Sequence, residues 1–386
     1  MTSASKGRTS GRRRPHVALV IHEASGGQGT DKVVVELVRR AHEEVDFTVV
    51  SRTLAVDLRS VVRWRRAPAP QAPYRRKMLT FLATGGWQTL RARADLVHVH
   101  GVGPTIANRV DLLTVHFSRQ GFYEAAGVLP GGGVSPRLHA ALERWCLRRA
   151  SMLAALSEGS RRELAARFPT MRIVVTPNGV DAELFRPDRT ERDAVRAALG
   201  VRDDETIALF VSNSWNQKGL GVIIEAMAQA EGPPLLWVIG YGDERRYRAA
   251  CAERGIAERV RFLGVQSDVV RFYQAADLFV LPSLYEHASL AAWEAAATGL
   301  PVVGTRVHGI PELVGNEEAG ILVQRTSGSV AAAIERLSSD RELRTRLGRE
   351  ARRRAAAYTW NRSIRGVLDA YRELLAERGV LPDLPT

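Results

Sequence analysis

The chain has 386 residues, 45% of them apolar, and a formal net charge of +13. That length exceeds what one hydrophobic core usually serves, so two domains are expected, and no run approaches the roughly 20 consecutive apolar residues of a membrane span. Two cysteines, Cys146 and Cys251, form no metal-ligand spacing, and the basic charge lacks the interleaved aromatics of a nucleic-acid platform, so neither a metal nor a nucleic acid is expected.

In chain order, residues 1–14 read as a disordered basic tail without a signal-peptide core. A buried strand over 16–21 leads into the glycine turn GGQG at 26–29 and a helix over 31–41. A strand follows at 47–50. Residues 61–90 read as a proline-broken basic loop and then either a packed helix or a segment touching a membrane surface or a large acceptor. Strands are expected at 95–100, 112–117, 151–155 and 173–175, with helices at 138–149 and 158–166. Asn178-Gly179 and the polar VDAELFRPDRT that follows mark a connection, placing the domain boundary at 183/184.

A second α/β series runs from a strand at 207–211 through helix 220–228, strand 235–239, helix 247–254 and strand 260–263. It continues with strand 278–281, helix 290–297, strand 302–305 and a strand near Ile321, then mostly helix over 329–378. Short strands alternating with helices argue for parallel sheets covered on both faces, twice over.

Three places carry candidate chemistry. The first is the GGQG loop, where Gly27 and Gly29 let backbone N–H groups approach a phosphate or sugar; it matches neither G-x-G-x-x-G nor a Walker A loop. The second is PSLYEHASLAAWEAAATGLPVV at 282–303. Glu286 lies just past a buried strand and Glu294 inside the next helix, whose start around Leu290 offers unpaired N–H groups to a diphosphate. The third is Lys218-Gly219, where a cation can neutralise a leaving pyrophosphate. His116 ends a strand and reads as a proton carrier, a sugar-hydroxyl partner or a core histidine. His98 and His100 alternate on another strand, but no Asp or Cys cluster completes a metal site.

These pieces together resemble the retaining glycosyltransferases of family 4. The E-x7-E motif of Glu286 and Glu294 continues into Ala297, Gly299, Pro301, Val302 and Val303. It is joined by GGQG, TVH ending at His116, LSEGSRREL at 156–164, TPNGVDAELFRP at 176–187, Lys218-Gly219, and YTW at 358–360. The resemblance implies the GT-B fold: an α/β protein of two Rossmann-like α/β/α domains facing a central cleft. An acceptor-side domain would span 15–183 and a donor-binding domain 184–357, with a helical segment at 358–386 crossing back to the first.

It further implies metal-independent, retaining transfer from a nucleoside diphosphate sugar to a hydroxyl of a glycan, glycolipid or secondary-metabolite acceptor, with no other cofactor. Lys218 would bind the diphosphate, and Glu294 the ribose. Glu286 would meet the transferred sugar, His116 would position reacting groups, and the backbone at Ala288, Ser289 and Leu290 would supply donors. The family's usual arginine five residues before the lysine is Asn213 here, and its usual E-G-F-G reads Glu286, His287, Ala288, Ser289. A cytoplasmic protein, with peripheral contact at the inner membrane face as an option, is the expected setting. A nucleotide-sugar epimerase or a glycosyl phosphorylase of the same architecture is the alternative.

Overall fold

The computed structural model describes residues 13–26, 29–70, 74–101, 109–128 and 134–380. Most of the expected basic tail therefore lies outside the described residues, as does Gly27. The described residues fall into two compact units. One is drawn from Met1–Val115, Trp145–Ala154 and Ile364–Thr386, the other from His116–Arg144 and Ala155–Ser363.

The first part of the chain contains β1 (His16–Val20), α1 (Thr30–Ala41), β2 (Asp46–Ser51), β3 (Arg63–Arg66), α2 (Tyr74–Ala92), β4 (Leu96–His100), β5 (Val110–Val115), α3 (Arg119–Ala125), α4 (Val134–Leu147), β6 (Ala150–Ala155), α5 (Glu158–Arg167) and β7 (Arg172–Val175). The strands form a seven-stranded sheet in the order β3-β2-β1-β4-β5-β6-β7. Val17–Val20 are wholly buried, and the α1 stripe of Val34, Val35, Leu37 and Val38 is buried with them, the helical period expected of a covering layer.

The second series contains α6 (Arg189–Ala198), β8 (Ile207–Val211), α7 (Trp215–Lys218), α8 (Leu220–Gln229), β9 (Leu235–Ile239), α9 (Glu244–Glu253), β10 (Val260–Gly264), α10 (Val270–Ala275), β11 (Leu278–Leu281), α11 (Leu290–Ala297), β12 (Val302–Thr305), α12 (Ile310–Val314), β13 (Gly320–Val323), α13 (Ser327–Ser339), α14 (Arg341–Ala356) and α15 (Trp360–Ala376). Its sheet has six strands in the order β10-β9-β8-β11-β12-β13, paired in parallel throughout. Trp237, Tyr273 and Phe279 are fully buried in its core.

Two expectations are corrected. Residues 63–66 are a strand rather than loop: RWRR has no apolar alternation, and its backbone is held by parallel pairing with β2 from Thr48↔Arg63 to Ser51↔Arg66, the charged edge strand that blunts aggregation. The polar connection after Val180 ends sooner than expected. Asp188 caps α6 through Glu191 N–H at 3.1 Å, and Arg192 and Arg196 turn inward to Asp277 at 2.7 and 3.3 Å. The buried Arg196 and half-buried Arg192 hid that helix from a reading of apolar period. Among the described residues, no helix is long and apolar enough to cross a membrane.

Candidate active site

β8 and β11 are neighbours in the six-stranded sheet, and the strand order reverses between them. Open parallel sheets bind ligands at the carboxyl edge of such a switch point. Asn213 and Lys218 follow β8; Glu286, Ala288 and Ser289 follow β11. The two segments are stitched together: Leu284 N–H donates to Gln217 O at 2.9 Å, and Gln217 Nε2 donates to Tyr285 O at 3.1 Å.

Gly219 makes this approach possible. Its φ is +88°, and a Cβ there would lie 2.4 Å from Pro282 O. Lys218 consequently ends the single turn of α7 rather than merely opening a helix, and it occupies the end where the dipole favours a cation. Its ammonium contacts the Glu286 carboxylate. Burial pushes Lys218 down to about 7.

Ser289 caps α11, its hydroxyl accepting from Ala292 N–H at 3.3 Å. The first N–H groups, of Leu290 and Ala291, have no intrahelical acceptor and are available to an anion. Glu294, in the same helix, accepts from the buried Tyr273 hydroxyl at 3.4 Å. His116 follows β5; burial, and then the charge of His287, push it down to about 3, so it is neutral near pH 7. Asn213 is exposed, with its Oδ1 2.9 Å from where a Cβ on Gly240 would stand.

The residues that sequence reasoning missed surround His287. This side chain, fully buried, meets the Tyr285 hydroxyl at 2.7 Å, and that hydroxyl donates to both Glu163 oxygens at 2.9 and 2.8 Å. Glu163 also contacts Arg167 and His308. Burial pushes the Glu163 carboxyl up, but the neighbouring His287 and His308 rings and the charges of His308 and Arg167 outweigh it and hold the group well below the usual range. Burial and the Glu163 charge push Tyr285 up. The ligand atoms of Glu163, His287 and His308 lie within 4.8 Å of one another, a metal-like set whose carboxylate already accepts from three donors. Beside them opens a cavity of about 440 Å³ lined in part by Arg162 and Arg306. Glu163 lies within LSEGSRREL, which carried the resemblance without a role being read from this residue, and no motif marks His308; tertiary packing brings both to Tyr285.

In the seven-stranded sheet the order reverses between β1 and β4. Gly29, φ +63°, opens α1 after β1. Nearby, Glu23 accepts from Arg52 at 2.7 Å and Lys77 at 3.0 Å. Burial raises Asp31 to about 6 although Ser25 donates to it. His98 is a satisfied core histidine between Tyr371 Oη and Thr114 Oγ1, both at 2.7 Å.

Comparison with known proteins agrees with this arrangement. A model of group 1 glycosyl transferases matches residues 191–354, and one of glycosyltransferase family 4 matches residues 27–184. A D-inositol 3-phosphate glycosyltransferase of Saccharomonospora viridis is 31% identical, covering 89% of this chain and 88% of its own. The chain belongs to glycosyltransferase family 4. A Mycobacterium marinum protein of the same name is 29% identical over 89% of this chain and 78% of its own. Among solved structures, sucrose-phosphate synthase from Thermosynechococcus elongatus superposes with a TM-score of 0.82 at 23% identity, over 94% of this chain and all of its own. The Anabaena protein HepE, solved with UDP and glucose, gives 0.75 at 18% identity, over 93% and 100%. The glycosyltransferase thus has the GT-B fold of two Rossmann-like units, and it transfers a sugar from a nucleoside diphosphate sugar to an acceptor.

Proposed function

We propose that the enzyme transfers its sugar with retention of configuration and without a metal, using Lys218, the α11 N-terminus and Glu294 to hold the donor. The observation that carries this reading is the meeting of Lys218 and Glu286 at the β8/β11 switch point. Lys218 and the N–H groups of Leu290 and Ala291 would take the diphosphate, the charge on the leaving group growing as the glycosidic bond breaks. Glu294 would hold the ribose hydroxyls. Glu286 would face the positive charge developing at the anomeric carbon, and neutral His116 would hydrogen-bond the sugar. The backbone of Ala288 and Ser289 and the side chain of Asn213 would line the same site, with Gly27 and Gly29 serving the phosphate side in an acceptor domain over 15–183. The donor domain would span 184–357, and 358–386 would return to the first domain.

The acceptor is proposed to be a phosphorylated polyol. The relatives' name points to one, and Arg162 and Arg306 are exposed at the cavity, guanidiniums suited to a phosphate. A cytoplasmic site of action, facing the membrane where the acceptor is a lipid, belongs to the same reading.

Incubation with UDP-, GDP-, ADP- and TDP-sugars in EDTA, with and without D-inositol 3-phosphate, tests it. Acceptor-dependent nucleotide release from one donor, abolished by Lys218→Ala or Glu294→Ala, is expected. Conversion of the nucleotide sugar without acceptor would point to an epimerase instead, and release only on adding a divalent metal would refute metal independence.

A further inference from the structure

His308 sits in the loop between β12 and α12 with φ +37°. That left-handed conformation is natural to glycine and strained for a histidine. Strain of this kind persists where the surroundings fix it, and both ends of the ring are fixed. Nδ1 lies 2.8 Å from the backbone carbonyl oxygen of Glu286. Nε2 contacts the carboxylate of Glu163. A carbonyl and an ionised carboxylate can only accept, so the ring bridges two acceptors, a geometry that suits a donor at each nitrogen.

The neighbouring bonds extend the clamp. Tyr285 spends its one proton on Glu163, so His287 Nε2 must donate to the Tyr285 oxygen. The Ser157 hydroxyl donates to His287 O at 2.9 Å. The carbonyls of Tyr285, Glu286 and His287 are therefore held one after another, by Gln217, His308 and Ser157. Of these three donors only His308 can carry a charge, and it grips the residue whose carboxylate meets Lys218. The same bonds argue against a metal: an ion bound by His287 Nε2 would need the lone pair that the proton donated to Tyr285 occupies.

We propose that His308 is a positioning residue for sugar transfer: its imidazolium, anchored on Glu163, holds the Glu286 carbonyl and so aims the Glu286 carboxylate at Lys218 and the donor sugar. The proposal rests on the reading of Glu286 and Lys218 as donor-site groups. The charged and titratable groups facing the ring are Glu163 and Arg167 from α5 and Tyr285 and His287 from the loop after β11. Arg162, Arg306 and Glu124 line the same cavity as the ring.

His308→Gly suits the test because glycine accepts the backbone conformation. With whichever of UDP-glucose, GDP-mannose, ADP-glucose and TDP-glucose supports release, kcat is expected to fall about tenfold or more with KM little changed, the split of an interaction used in the transition state. Melting temperature should change little, relief of the backbone strain offsetting the lost contact with Glu163. Added imidazole, entering through the adjoining cavity, should restore part of the rate, and the restored part should follow the protonated fraction of imidazole as pH rises. Wild-type kcat in His308→Gly would overturn the proposal, as would a rate loss that tracks a fall in melting temperature and resists imidazole. If Lys218→Met and Glu286→Gln also keep full release, the donor-site reading has failed; if they lose it while His308→Gly does not, only the positioning role has failed.

A second readout needs no donor. In protein labelled with ¹⁵N-histidine, one ring absent from the His308→Gly spectrum should be doubly protonated at pH 7 and lose that state in Glu163→Gln. A singly protonated ring, or a divalent ion retained in one equivalent and lost in His308→Gly, would overturn the assignment.

Discussion

The ammonium of Lys218 touches the carboxylate of Glu286, across two strands that are neighbours in the sheet but 67 residues apart in their closest ends (from Val211 to Leu278). Burial lowers the lysine to about 7, so above that pH the free enzyme holds much of it neutral. A diphosphate arriving there favours the cation. Binding of the donor's nucleoside diphosphate at pH 8 should therefore take up as much as about one proton per site. Calorimetry in two buffers of different ionisation enthalpy measures this directly; identical heats would refute it. Lys218→Met should abolish the uptake and cost about 10²–10³ in kcat.

Gly219 tests the geometry rather than the charge. A methyl group there meets Pro282 O at 2.4 Å while the backbone sits at φ +88°. Gly219→Ala should destabilise the protein by about 1–3 kcal/mol and lower transfer as well, because Lys218 must move with its neighbour. Chemical denaturation together with donor turnover checks both. An unchanged midpoint would mean that the segments do not pass as closely as described.

Glu163 sets an acid limit. Its folded-state pKa lies below the unfolded value, so the stability it supplies is complete above about pH 4.5–5 and is lost as pH falls toward the folded value. Glu163→Gln should cost about 2–3 kcal/mol at pH 7, and the gap to wild type should narrow on acidification. His116 adds to the same trend. A histidine lowered to about 3 favours the folded state above pH 6.5 and loses that contribution between roughly 6.5 and 3. Urea midpoints at pH 7, 5 and 4 decide; a gap that widens in acid would reverse the sign.

Tyr371, in the last helix, donates or accepts at His98 Nδ1, and both side chains are buried. Tyr371→Phe leaves that nitrogen without its partner and should cost about 1–3 kcal/mol. Thermal melts of the two proteins give the difference. Equal stability would show that the hydroxyl bond is not a net contributor.

Several strands were legible to the residue. The apolar runs 207–211, 235–239 and 278–281 end where the structure ends them, because each is a strand buried along nearly all its length and bounded by polar turns. Helix 290–297 was equally legible, its bounds those of α11. Strand 63–66 and the helix at 189–198 were not, since one is a charged edge and the other buries arginines. For the site, Lys218, Glu286 and Glu294 stood out by strand context, whereas their spatial pairing did not. Glu163 was legible only as part of LSEGSRREL and His308 left no trace, as nothing local links residues 145 positions apart.

The first compact unit is assembled from both ends of the chain: His98 and Asp111 come from its early strands, while their partners Tyr371 and Arg378 come from the last helix and its exit. On a ribosome those partners emerge only after the whole second unit has been made. The nascent first sheet must then wait with Asp111 held by Arg109 and the Val97 N–H but without Arg378, and with His98 without Tyr371, a state that favours chaperone capture over early closure. Folding of this chain is thus not sequential from its amino end. The unit begun first is the one completed last.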